Sequence, residues 1–371
     1  MRILQFLLRP QIGGAETLVA SLAAEWRRLG HTSELAYLDP EGASTGKVAR
    51  GLRLRRVIRD VDPDLVVSHS ALPNLYSAIV TPRRTPLLSV LHSATDDFAS
   101  TLLRQAEARS RTRARTVVAV SRKQVDEYAA HFPGRPRPVL VPNGISGDLP
   151  RRPDRAPRPP RVITMARVAS QKEPELWLDV VDRFAVADPG VAFSWRGPVL
   201  LSDPRIARFW ETVRARGHDD LLPGPSDDVG ADLAAADLCF HPSSREAHSI
   251  GVLEAAAVGL PVVCSADVAA TLPSYVPAAT FVSGDAASAV AAIRSVLDDH
   301  PAALARAVTT SARVREEYSI GATARAYLRI AGVAGPGSRH RADPAPPTRG
   351  ERDLALARRR RSRAVRGRRG P

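Results

Sequence analysis

The sequence predicts an α/β protein of two successive doubly wound domains facing a cleft, followed by a disordered basic C-terminal tail. Three observations predict it. Strand-length apolar runs alternate with helix-period segments along two stretches of the chain. A Pro/Arg-rich interruption at 150–161 separates those stretches. The length of 371 residues, with 44% hydrophobic and 25% charged, is ordinary for a globular chain of two domains at roughly 100–200 residues each.

In the first stretch RILQFLL, SELAYL, DLVVSH, PLLSVLH, TVVAVS and PVLVP read as strands. They are nearly continuous apolar runs separated by helical patterns, which implies a parallel sheet covered on both faces. In AETLVASLAAEWRRLG, Leu18, Leu22 and Trp26 recur on one helical face and Gly30 ends the helix. After the interruption RVITMA, VAFSWRG, DLCFHPS, LPVVCS and ATFVSG continue as strands, with helices near 173–187, 204–216, 249–258 and 285–298. Two further helical segments, about 301–316 and 319–331, have no strand after them and are expected to pack back over the domain junction. The expected boundaries are an N-terminal domain at 1–149, a linker at 150–161, a second domain at 162–316, a closing helix at 317–332 and a tail at 333–371.

The formal charge of +14 suggests nucleic acid, but its distribution argues against that reading. Residues 335–371 hold 12 Arg against Asp343, Glu351 and Asp353, and 150–161 holds five Arg against Asp154, so the remainder is close to neutral. The tail has too few bulky apolar residues to order itself. It reads as a solvated appendage, or as an attachment to an anionic membrane surface. It lacks aromatic interleaving, and the chain has no helix-turn-helix or zinc pattern. The opening MRILQFLLRP stops at Arg9 and Pro10 without a small-residue cleavage site, and no apolar run reaches the ~18 residues of a membrane span. A cytoplasmic protein, peripheral at most to the inner face of the membrane, is expected. Cys239 and Cys264 lie inside apolar runs and read as core residues of a reducing compartment, not as a disulfide or metal site.

Ligands of open parallel sheets bind beyond the C-terminal ends of the strands, so the residues that follow each strand are the candidates. Gly13-Gly14-Ala15-Glu16 follows the first strand and opens a helix, allowing close backbone approach and offering free N–H groups to a phosphate. A plain tight turn fits equally well, since the third glycine of a dinucleotide fingerprint is missing and only Asp39 stands near the end of the second strand. Arg167 and Lys172 follow the first strand of the second domain, where two cations could hold a diphosphate. In HPSSREAHSIGVLEAAAVGLPVV, Glu246 stands before a helix and Glu254 inside it, separated by seven residues. A helical carboxylate among Val252, Leu253, Ala255, Ala256 and Ala257 could accept two hydrogen bonds from a vicinal diol.

On these residues the chain resembles a family-4 retaining glycosyltransferase (glycosyl transferases group 1) of the two-domain, Rossmann-like GT-B architecture, over about residues 1–332. The resemblance is carried by Gly13 to Glu16, Val118-Ala119-Val120-Ser121, Val141-Pro142-Asn143-Gly144-Ile145, Arg167 with Lys172, Pro242 to Glu246, and Leu253-Glu254-Ala255 leading to Gly259-Leu260-Pro261-Val262-Val263. It implies donor diphosphate binding by Arg167 and Lys172, ribose binding by Glu254, and a place beside the transferred sugar for Glu246. It also implies that the Gly13-Gly14 loop closes over the donor phosphate and that His92 lies near the reacting centre. Where many relatives read Glu-Gly-Phe-Gly, this chain reads Glu246-Ala247-His248-Ser249, so His248, Ser249 and Ile250 become donor-site candidates; His248 either faces the sugar or caps the helix.

The implied reaction moves a hexosyl unit from a nucleotide-diphosphate sugar to a glycan, lipid-linked or small-molecule acceptor, in cell-envelope or polysaccharide biosynthesis, with no metal and no further cofactor. A sugar-nucleotide 2-epimerase and a catalytically silent glycan- or partner-binding relative are the alternatives. Asp62-Pro63-Asp64 matches the Asp-x-Asp of metal-dependent enzymes but precedes a strand, where it reads as a turn. Gly42 to Val48 is one residue short of a P-loop and lacks its Ser/Thr.

Overall fold

A computed structural model describes residues 1–10, 13–40, 46–93, 97–110, 115–153 and 159–332. The basic tail, most of the P-loop-like segment and the middle of the linker lie outside the described residues.

The first half holds six parallel strands: β1 (Arg2–Leu7), β2 (Thr32–Tyr37), β3 (Leu65–His69), β4 (Leu87–Leu91), β5 (Arg115–Ala119) and β6 (Val139–Leu140). Their order is β2-β1-β3-β4-β5-β6, with Ile3 paired to Ser33 on one side and Leu65 on the other. Helices α1 (Gly14–Arg28), α2 (Lys47–Val61), α3 (Ala71–Val80), α4 (Thr101–Arg109) and α5 (Arg122–His131) connect them. On α1 the stripe Leu18, Leu22 and Trp26 is buried, as its spacing predicts.

The second half holds β7 (Arg161–Met165), β8 (Ala192–Arg196), β9 (Leu238–His241), β10 (Val262–Ser265) and β11 (Ala279–Phe281), all parallel in the order β11-β10-β9-β7-β8. Its helices are α6 (Pro174–Ala187), α7 (Pro204–Ala215), α8 (Val229–Ala234), α9 (Ile250–Val258), α10 (Ala266–Ala269), α11 (Ala286–Asp298), α12 (His300–Glu317) and α13 (Ile320–Ile330). Trp177, Phe184, Phe193 and Trp195 fill the core between α6 and the sheet. Each buried indole N–H finds an acceptor, Trp177 on Thr164 Oγ1 (3.0 Å) and Trp195 on the Ala166 carbonyl (2.7 Å). The second bond anchors the chain just before Arg167.

Sheet topology decides where ligand-facing loops emerge. β1 leads to β2 on one side and the chain then returns to β3 on the other, so the loop after β1 stands at a point where strand order reverses. The second sheet reverses between β7 and β9. The loops leaving those strands carry Arg167, Lys172 and Glu246.

After the second sheet, the chain crosses back to the first half through α13. Ile145 and Ser319 form a parallel bridge, Thr323 Oγ1 donates to the Pro142 carbonyl (3.2 Å), and Trp26 Nε1 donates to the Ala324 carbonyl (3.2 Å). Trp26, placed by its spacing on the core face of α1, is thus covered by α13.

Two sequence motifs resolve as structural. Arg2 bonds both aspartates of Asp62-Pro63-Asp64, its Nη2 donating to Asp62 (2.9 Å) and its backbone N–H to Asp64 (2.8 Å). Asp39 is fully buried and bonded through both oxygens to Arg50. Cys239 and Cys264 are buried free thiols on neighbouring strands, each pushed up to about 12 by burial.

Candidate active site

The ends of the two sheets enclose a cleft of about 720 Å³, within the range of small-molecule sites. Every residue singled out as a site candidate lines it: Gly13, Gly14 and His92 from the first half, and Arg167, Lys172, Glu246, His248, Ser249, Ile250 and Glu254 from the second. The glycine loop meets the second half closely. A Cβ on Gly13 would stand 3.5 Å from the Arg167 guanidinium carbon, and one on Gly14 would stand 3.6 Å from Ile250 Cδ1. Both are ordinary contact distances, so the loop packs directly on Arg167 and α9; the tight neighbour of a Gly13 Cβ would be Glu16 Oε2, at 2.8 Å.

Helix α9 is apolar on all sides, with Ile250, Val252, Leu253 and Ala255–Val258 buried, as befits a helix enclosed by protein. Glu254 is its one charged residue. Burial raises its pKa from the ordinary 4.5 to about 7, and no hydrogen-bond or ion-pair partner stands beside it among the described residues. A carboxylate kept at such cost and open to the cleft is suited to receive a ligand's hydroxyls. Gly251, one turn earlier, lets α9 begin against β7: a Cβ there would lie 2.6 Å from the Met165 carbonyl oxygen.

Glu246 and Lys172, expected to act on sugar and diphosphate respectively, are bonded to each other as an ion pair. Glu246 Oε1 also accepts from Ser243 Oγ (3.0 Å) and lies 2.9 Å from His241 Nε2. Burial alone would raise the Glu246 pKa, but Lys172 and His241 outweigh it and hold the carboxyl well below its ordinary range. Lys172 is thereby kept beside a permanent negative charge, and its ammonium has two more N–H groups to offer.

Of the two roles the sequence allows His248, facing the sugar or capping the helix, the structure excludes capping. Ser249 is the residue at the N-cap position, and no side chain caps that end. The His248 ring lies 5.6 Å from the Tyr318 ring, its carbonyl accepts from Asn143 Nδ2 (2.9 Å), and burial lowers its pKa to about 4. Ser249 Oγ is directed to His241 Nε2 (3.3 Å). The first N–H groups of α9 have no partner within the helix and carry the positive end of its dipole.

The sequence gives no site role to His241 or Gly251, and names Asn143 and Ser243 only as members of the motifs that carry the resemblance. A signal exists for His241, because a polar residue in DLCFH interrupts an apolar strand buried on both faces. Among the described residues, no group of three or more His, Cys, Asp and Glu side chains is gathered as a metal site, and no helix is long and apolar enough to cross a membrane.

Two family models match the chain in succession: glycosyltransferase family 4 over residues 12–149, and glycosyl transferases group 1 over residues 159–299. A glycogen synthase of Mycobacterium tuberculosis is 28% identical over 310 residues, covering 76% of this chain and 73% of that protein. The Anabaena protein HepE, solved with UDP and glucose, superposes with a TM-score of 0.74 at 17% identity, over 90% of this chain and all of that one. A sucrose-phosphate synthase from Thermosynechococcus elongatus gives a TM-score of 0.74 at 15% identity, again over 90% of this chain and all of that one. The order of the two matched models along the chain, on two facing parallel-sheet domains, shows that it belongs to the family-4 glycosyltransferases, group 1, of GT-B fold.

Proposed function

We propose that this glycosyltransferase moves a hexosyl unit from a nucleoside-diphosphate sugar to a saccharide, lipid-linked or small-molecule acceptor, with retention at the anomeric carbon and without a metal. The observation that carries the reading is the set Arg167, Lys172 and Glu254 on one wall of the cleft, opposite the Gly13-Gly14 loop. A ribose diol suits the unpartnered Glu254 carboxylate, and a diphosphate suits two cations beside the start of α9. HepE was solved with UDP-glucose, which makes UDP the first nucleotide to test.

Glu246, the carboxylate beside Lys172, is bonded to Lys172, His241 and Ser243 and is not free to act as a nucleophile. Attack from the face of the departing diphosphate fits this arrangement. The leaving phosphate oxygen takes the acceptor hydroxyl's proton as the anomeric C–O bond breaks and the new one forms. Arg167, Lys172 and the loop amides stabilise the charge that grows on the leaving group. Glu246 contributes by holding Lys172 in place.

The test is calorimetric titration of UDP, GDP and ADP with chelator present, followed by acceptor-dependent product analysis. Saturation by one nucleotide, weakened in Glu254→Gln, is expected. Absence of binding by a folded protein overturns the donor-site reading. Donor turnover without an acceptor-dependent product points to the epimerase.

A further inference from the structure

A line of polar side chains crosses the first sheet and ends at the cleft. Gln5 on β1 has Nε2 3.2 Å from the Val19 carbonyl oxygen and 3.1 Å from Ser33 Oγ. Its Oε1 lies 3.3 Å from His69 Nε2, and His69 Nδ1 lies 2.9 Å from His92 Nε2. The two imidazoles lie edge to edge, their planes 23° apart and their centroids 5.1 Å apart, as an in-plane N–H···N bond requires. Gln5 and His69 are fully buried and do not line the cleft, whereas His92 does.

The protons in this line are determined by its far end. A carbonyl oxygen can only accept, so the Val19 carbonyl requires the Gln5 nitrogen on its side and turns Oε1 towards His69. Oε1 can only accept as well, so His69 carries its proton on Nε2. Burial lowers the His69 pKa well below its ordinary value, and the nearby His92 adds to the effect, so the ring is neutral and Nδ1 is bare. A bare Nδ1 must receive its hydrogen bond from His92 Nε2–H. His92, held neutral by burial with a pKa of about 4, then has its lone pair on Nδ1. His92 lines the cleft, and Nδ1 is the ring nitrogen that its bond to His69 leaves for a ligand.

We propose that Gln5 and His69 are positioning residues, which fix His92 as its Nε2–H tautomer and present its Nδ1 to the cleft as a hydrogen-bond acceptor for a sugar hydroxyl. The proposal rests on the reading of this cleft as the sugar-transfer site. With the tautomer fixed, the site favours a substrate that donates a hydrogen bond there and disfavours one that can only accept.

The experiment is imidazole 15N spectroscopy of the full chain at pH 8, with the His92 resonances assigned by their loss in His92→Asn. A protonated Nε2 and an unprotonated Nδ1 are expected on His92; a protonated Nδ1 in the wild type overturns the proposal without recourse to any variant at Gln5 or His69. His69→Asn keeps an acceptor near the position of Nδ1, while His69→Leu removes it. His69→Leu is expected to mix the His92 tautomers and lower kcat about tenfold or more, with the UDP Kd unchanged and with recovery in His69→Asn. Unchanged kcat in a folded His69→Leu protein overturns the positioning role, and Gln5→Met supplies the same comparison if His69→Leu does not fold. If no donor is turned over by the wild type, the transferase reading fails, and the spectrum still decides the tautomer.

Discussion

Glu254 and Glu246 are carboxylates of one cleft with opposite electrostatics, and the difference sets what each can do. Glu254 has an elevated pKa because burial is its only strong influence. Protonation is therefore favoured in the folded state: the stability this group contributes is full below the ordinary 4.5 and is lost as pH rises through about 7. That displacement, at about 1.4 kcal/mol per pH unit, makes the ionised group cost about 3 kcal/mol at pH 8. Glu254→Gln is expected to raise stability at pH 8, measured by urea unfolding, while weakening nucleotide binding. In the wild type, affinity for the bound nucleotide should rise as pH passes through about 7, since the ionised carboxylate is the better diol acceptor; calorimetry across pH 6–8 checks this. Glu246 has the opposite sign, so its contribution is present above the ordinary carboxylate range and lost as pH falls through its lowered folded value. Lys172→Met leaves its charge buried without the ammonium and is expected to cost about 3–5 kcal/mol. The double change with Glu246→Gln should recover much of that loss and remain at least about a hundredfold slower in transfer. A double variant no more stable than Lys172→Met would show that the pair is not coupled.

At the scale of elements, the start of α9 is a tightly constrained junction of the site. Its approach to β7 depends on the absence of a side chain at residue 251, where a Cβ would stand 2.6 Å from a carbonyl oxygen. Gly251→Ala is expected to cost about 1–3 kcal/mol of stability. It should also weaken nucleotide binding several-fold, because Glu254 moves with the helix. Thermal unfolding and calorimetry check the two effects, and an unchanged nucleotide Kd would detach α9 from the donor site. The elements themselves were legible in the sequence: each strand-length apolar run proposed became a strand, and the helices expected at 173–187 and 285–298 appear at 174–187 and 286–298. Periodicity reports which face of an element is covered. It does not report what covers it, and so it placed Trp26 on a buried stripe without identifying α13 as the partner.

Across the whole molecule, α13 ties the second half back to the first, and Tyr327 is its largest buried anchor. The Tyr327 hydroxyl is buried with no hydrogen-bond partner among the described residues, and burial raises its pKa. Tyr327→Phe is expected to be neutral or stabilising by about 1 kcal/mol, because it removes an unsatisfied polar group and keeps the ring. Tyr327→Ala should cost about 3–5 kcal/mol through the cavity it leaves. Equal losses in both variants, measured by denaturant unfolding, would mean that the hydroxyl is satisfied in solution.

The sequence by itself determined the α/β alternation, the residues that exit each strand and the family they resemble, because these depend on local periodicity and on motifs short enough to read along the chain. Only the tertiary structure decided that Lys172 is bound to Glu246, that His248 packs on Tyr318 instead of capping α9, and that Gln5, His69 and His92 share one line of hydrogen bonds. Lys172 and Glu246 are 74 residues apart, and Gln5 and His69 are 64 apart. Contacts of that separation arise from strand order and loop closure. The charge, protonation and tautomer of each group follow from the burial those contacts create.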